Sequence, residues 1–354
     1  MAVSTIDPNG LNIGQIGGTR NKIINGAMVI DQRNAGAAVA ATNEYTLDRW
    51  FGRENTDGAI TVQQVSDAPA GFVKSAKVTV TTADASVGSS QFAYFAHRFE
   101  GLNISDFSFG TASASPITLS FWIKSSLTGT FGGAVTNGTN NNRAYPFTYT
   151  ISSADTWEEK AITIAGDTSG TWATDSSQAM ALFFGLGNGS STTATAGAWT
   201  STAGIQSATG AVDLISTLNA TWQITGVQLE AGDTATPFEH RSYGQELALC
   251  QRYYIKFDGG GAGAKFGSGW AVSTSGTQFS FGVPVQMRSN PTLSYSLIDV
   301  WDSANIYAIS SATSVGLYPG ELTLQFNTSG LTTYRPCAIR QNATGGHVSF
   351  SAEL

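Results

Sequence analysis

Apolar residues in this chain recur at every second position, in short runs broken by Gly, Asn, Asp and Ser. After Pro116, Ile117, Leu119, Phe121 and Ile123 point one way, and Thr118, Ser120, Trp122 and Lys124 the other. Val78 and Val80, Ile162 and Ile164, and Met180, Leu182, Phe184 and Leu186 repeat that period of two, with Phe183 filling the second face. Pairs such as Asn137-Gly138 and Asn188-Gly189 supply turn residues that tolerate positive φ. The rhythm predicts an all-β chain of antiparallel sheets packed as sandwiches.

Two details sharpen this expectation. Along Trp222 to Glu230, Trp222 and Ile224 share one face, whereas Val227 and Leu229 have the opposite parity. A β-bulge at or beside Gly226 would return both pairs to the core. Only HRSYGQELALCQRYY has a helical rhythm, with Tyr243, Leu247, Cys250 and Tyr254 spaced as one helix face. Ser242 with Gln245 three residues on forms a capping-box pattern, so the reading is a linking helix over 242–253.

The 354 residues exceed the size at which one core usually stops growing, which implies two domains. The reading divides them into an N-terminal arm (1–20), a β-sandwich (21–241), the linking helix, and a smaller C-terminal sandwich (254–354). Strand candidates in the last are QFSFGVPV, TLSYSLI, NIYAI, ELTLQF and HVSFSAEL. Only 12% of residues are charged, while Ser and Thr together number 80, so hydroxyls and amides must build most of the polar surface.

A net charge of −7 and a pI near 4.9 argue against a nucleic-acid partner and against docking on an anionic membrane. No run approaches the roughly 20 apolar residues of a membrane-spanning helix. The opening residues lack the basic and apolar regions of a secretory signal, and Cys250 and Cys337 are too few for a disulfide framework. The expectation is synthesis in a reducing cytosol.

Several segments resemble virion appendage proteins of tailed bacteriophages, the tail-fibre and receptor-binding group. They are NKIINGAMVIDQR (21–33) with LDRW (47–50), WQITGVQLEAGDTATPFEHRSYGQELALCQRYY (222–254), PVQMRSNPTLSYS (284–296) and SFSAEL (349–354). The resemblance implies a jelly roll like that of carbohydrate-binding modules in the first domain, a homotrimer, and a place on the virion contacting the host surface. It also implies attachment through residues 1–20 to a tail adaptor or another virion protein. A head fibre or capsid decoration protein and a polysaccharide depolymerase are the rival readings. Such modules often hold a structural calcium, which here would fall near Asp213 and Glu230, though no D-x-D-x-D loop accompanies them. The expectation is a protein without cofactor or metal.

His97, His240 and His347 lie in separate segments without a nucleophile motif, so catalysis is not expected. Asp155, Glu158 and Glu159 form the densest acidic cluster, but adjacent Glu158 and Glu159 on a strand point to opposite faces, which fits a solvated strand start. A charge-poor surface rich in hydroxyls, amides and aromatics suits a host-surface glycan. Trp122, Trp270, Trp301 and Tyr307 are the candidate contacts, the last two flanking a turn at 302–305. Packing against a neighbouring strand or subunit is the ordinary alternative for each. Tyr243, Leu247, Cys250 and Tyr254 would contribute to a trimer interface.

Overall fold

The computed structural model describes residues 20–139 and 142–354. The expected N-terminal arm therefore lies almost wholly outside the described residues. The chain divides into two compact units, Met1–Arg241 with Leu354, and Ser242–Glu353. The regular structure of both is almost all strand, as the alternation predicts.

The first unit is a jelly-roll sandwich of two six-stranded sheets. One sheet runs Val39–Ala40, Ala59–Val65, Ser75–Thr82, Thr221–Ala231, Ile117–Ser125, Glu158–Ile164. The other runs Thr42–Leu47, Trp50–Glu54, Phe92–Glu100, Gln178–Asn188, Gly129–Asn137, Ala144–Ile151. Inward positions of both sheets interdigitate, with Trp50, Phe95, Phe121, Phe184 and Trp222 all buried. Trp50 stacks on Phe95 at 4.9 Å, and Trp222 Nε1 donates to the Tyr149 hydroxyl at 3.1 Å. Burying each such ring contributes about 2–3 kcal/mol.

The phase change in Thr221–Ala231 is resolved by a bulge. Thr225 pairs with Trp122 and Gln228 with Ser120, so two residues of one strand oppose one of the other. Gly226 occupies the left-handed region at φ +61, and Trp222, Ile224, Val227 and Leu229 are all fully buried. Pairing with Ser75–Thr82 ends at Ile224, and beyond it residues 21–26 supply partners to the strand's peptide groups. Val227 N–H donates to Gly26 O at 3.0 Å, Lys22 N–H to Leu229 O at 2.8 Å, and Leu229 N–H to Asn21 Oδ1 at 3.1 Å.

The second unit is the smaller sandwich. A three-stranded sheet (Tyr254–Asp258, His347–Ser351, Thr292–Ser296) faces a seven-stranded one. The larger sheet runs Ile306–Ala308, Ile298–Trp301, Pro336–Gln341, Lys265–Ala271, Gly276–Gly282, Glu321–Asn327, Ser311–Tyr318. Phe279, Leu324, Phe326, Ile339, Val348 and Phe350 form its core. The run TLSYSLI, expected as one strand, breaks at Leu297, which has φ +50 and is 49% exposed. There the chain passes from one sheet to the other.

The helix spans Tyr243–Gln251, shorter than expected, and opens with the capping box of Ser242 and Gln245. Tyr243, Leu247 and Cys250 fall within it at the expected spacing, while its buried residues are Glu246 and Cys250. Tyr243 in the first turn is 63% exposed and Leu247 half-buried, while Cys250 is fully buried. Tyr254 lies beyond the helix on a strand, where pairing with Ser351 fixes its direction, and it is buried. Cys250 and Tyr254 are thus buried within the chain itself.

Candidate carbohydrate-contact face

The outer face of the seven-stranded sheet gathers two of the four aromatic candidates. Ala271, Phe279, Val300, Cys337 and Ile339 point into the core, so the residues between them point out. In register, Trp301 pairs with Ala338, Ala338 with Ser268, and Trp270 with both Pro336 and Gln278. Trp270 and Trp301 therefore share a face, separated by one strand and two residues along it. Their Cα atoms stand on the order of 12 Å apart by regular sheet spacing. Ser268, Ser280, Thr323, Gln278 and Gln325 fill the rest of that face with hydroxyls and amides.

Trp270 is 41% exposed, and Val272 and Pro336 beside it are also exposed. Tyr334, 82% exposed, lies in the turn next to this strand end. It sits at φ +66, a conformation that bulky residues rarely adopt. Tyr334 N–H donates to Ala271 O at 2.7 Å, and Ala271 N–H to Arg335 O at 2.9 Å. Leu331, buried one turn earlier, anchors the same loop. The backbone is fixed and the phenol is left in solvent. Alternation did not nominate Tyr334, because a turn residue has no face to be read from.

Trp301 is half-buried, and Lys265 Nζ lies 3.2 Å from the centre of its ring. One face of that indole is thus covered by an ammonium group.

Tyr307 is a correction. It pairs with core residue Val300, packs against the core, and its hydroxyl donates to Asp302 Oδ2 at 3.0 Å. Asp302 is fully buried and also accepts from Arg335 Nη1 at 2.9 Å and from the amides of Ala304 and Asn305. Burial alone would push its carboxyl up, but the Asn305 amide, Arg335, the Ala304 amide and Tyr307 outweigh that and bring it down to about 2. Tyr307 thus braces the turn, half-buried on the core side of the sheet.

Trp122, in the first unit, is half-buried and faces outward between Glu159 and Thr225. A groove of about 540 Å³ opens at Ser120 on the same strand face, flanked by Glu159, Lys160, Thr236 and Pro237. Trp122 itself does not line it.

Glu230 and Asp213, placed near a calcium site by resemblance, have other roles. Glu230 Oε1 accepts from Gln228 Nε2 and from Thr236 N–H, both at 2.9 Å, and Oε2 from the Thr236 hydroxyl at 2.6 Å. Arg20 lies 3.4 Å away, so both Glu230 oxygens are engaged. Asp213 accepts from Asn188 N–H at 3.1 Å, and burial with the nearby Asp84 charge pushes its carboxyl up. No group of three or more His, Cys, Asp or Glu suited to a metal occurs among the described residues.

His97 is buried among Trp50, Phe99 and Ile24, and its Nε2 accepts from Ile24 N–H at 3.3 Å. His240 packs on Phe72 and Phe238, and His347 contacts Gly345 O. Glu158 accepts from the amides of Ser152 and Ser153 and pairs with Lys160, as a strand-opening residue should. No described helix is long and apolar enough to cross a membrane.

No protein-family model matches the chain, and no curated protein matches it. Solved structures do show similarity. A putative sugar binding protein from Bacteroides thetaiotaomicron is 13% identical, with a TM-score of 0.36, over 60% of this chain and 99% of that one. The enzymatically active domain of tailspike protein 4 from bacteriophage CBA120 is 13% identical, with a TM-score of 0.33, over 60% of this chain. The chain spans only 21% of that tailspike domain's length. A family 11 carbohydrate-binding module from Clostridium thermocellum is 11% identical, with a TM-score of 0.29, over 57% of this chain and 98% of that one.

Proposed function

We propose that this protein is a subunit of a phage virion appendage that attaches the particle to its host by binding surface glycans, without catalysis. The observation that carries the binding is the outer face of the second unit's large sheet. There Trp270 stands exposed among hydroxyls and amides, Trp301 shares the face, and Tyr334 is exposed in the turn bonded to Ala271. Flat apolar rings stack on the C–H faces of sugars, and Ser, Thr and Gln supply directional hydrogen bonds to hydroxyls. The virion role rests on the resemblance of 222–254 and the shorter segments to tail-fibre proteins. Attachment through residues 1–20 and a trimeric assembly belong to the same proposal. Weak sites repeated over three subunits and several appendages would sum to firm adhesion.

The test is adsorption of the purified protein to host cells and to their isolated surface polysaccharide. Trp270→Ala with Tyr334→Ala is expected to lower binding at least tenfold while leaving the circular dichroism spectrum unchanged. Equal binding by that variant would overturn the site. New reducing ends appearing in the polysaccharide would overturn the non-catalytic reading. Light scattering is expected to give three times the chain mass, and a monomer would remove the assembly.

A further inference from the structure

The same face has a charged end, and its geometry is specific. Lys265 and Trp270 are five residues apart and would face opposite sides of a regular strand. A bulge between Phe266 and Ser268, with Gly267 at φ +66, changes the phase and turns both outward. A Cβ at Gly267 would lie 2.8 Å from the Phe281 ring, so only glycine fits this bulge without displacing the core.

Lys265 then lies directly opposite Arg340 in register. Like charges so placed repel one another. Arg340 is compensated, since its Nη1 lies 3.3 Å from Asp299 Oδ2 on the next strand. Lys265 makes no ion pair among the described residues. Its only described partner is the Trp301 ring, which holds the ammonium by cation–π attraction. Two cations and one carboxylate thus leave one uncompensated positive charge beside an aromatic platform, in a chain of net charge −7.

We infer that this face takes a carboxylate-bearing glycan, a uronic or sialic acid residue, with its carboxylate at Lys265 and a neighbouring sugar ring on Trp270. The inference rests on the proposed glycan-binding role of the face and adds the substrate class. Trp301 acts as a positioning residue that orients the ammonium. The sugar stacks elsewhere, because the Trp301 ring face is already occupied. A carboxylate docked there relieves the repulsion between Lys265 and Arg340, which a neutral sugar cannot do. Compact point charge and flexible stem suit Lys265 to a carboxylate whose angle of approach varies with linkage.

The test uses the full chain on an array of bacterial polysaccharides, neutral and carboxylated, with a carboxyl-reduced copy of each acidic sample. Wild type is expected to bind carboxylated samples at least tenfold better than their reduced copies, and to lose this preference in 0.5 M salt. Lys265→Met, which keeps the apolar stem, is expected to bind the acidic and reduced copies equally. Equal wild-type binding to both copies would overturn the acidic-sugar inference and leave glycan binding standing. Binding to no polysaccharide would overturn both. Trp301→Phe keeps a ring beneath the ammonium and is expected to retain most of the preference, whereas Trp301→Ala loses it.

Discussion

Gly226 lies against the ring of Phe72, so that a Cβ on the glycine would stand 2.6 Å from the Phe72 Cζ. The glycine also holds φ +61 at the bulge that keeps Val227 and Leu229 in the core. Gly226→Ala meets both the left-handed penalty and the overpacking, which together cost about 2–4 kcal/mol. Its signature is a lower melting temperature for the first unit. Phe72→Ala in the same chain is expected to recover the steric part only. Full recovery would show that the backbone conformation carries no cost.

His97 predicts an acid sensitivity in the first unit. Burial, then the charges of Arg49 and Arg241, hold its imidazole well below the ordinary value of 6.5. A depressed histidine contributes stability that is present above 6.5 and is lost as pH falls toward the folded value, because the unfolded chain binds the proton first. Urea midpoints measured from pH 8 to pH 5 are expected to fall below 6.5. In His97→Gln that part of the slope disappears, and an unchanged slope would assign the sensitivity to another group.

Asp302 gives the second unit a window at lower pH. Its carboxyl is brought down to about 2 from an ordinary 3.8. The stability it contributes is present above 3.8 and is lost as pH falls through 2. Asp302→Ala leaves the turn amides and Arg335 without their acceptor and costs about 3 kcal/mol at neutral pH. Tyr307→Phe removes one of the hydrogen bonds and costs about 1 kcal/mol. Melting curves read at a probe within the second unit check both values.

The fold was legible wherever one face of a strand meets a core, because burial imposes the period of two. Trp222 to Leu229 shows how far this reaches, since the break in parity alone implies the bulge. Alternation fails where the chain turns a corner. Leu297 continues the apolar period of Leu293 and Tyr295, yet it is exposed at the crossing between sheets. Only long-range pairing with the strands His347–Ser351 and Pro336–Gln341 decides where that run is cut. The candidate site was half legible for the same reason. Trp270 and Trp301 could be nominated singly, but their common face depends on the strand Pro336–Gln341 lying between them. Lys265 turns outward only through the bulge at Gly267, and Tyr334 has no periodic signal at all. Tyr307 misled because its neighbour Asp302, a turn residue by composition, is buried and needs a donor.

The fastening of residues 21–26 along the bulged strand has a mechanical consequence. Arg241 donates to the carbonyls of Ile23 and Asn21, and Glu239 Oε2 accepts from Asn21 N–H. Entry and exit of the first unit are therefore knotted together at one clasp. Tension applied at residues 20 and 241 loads that clasp and the strand Thr221–Ala231 it is fastened to before it reaches the rest of the sandwich.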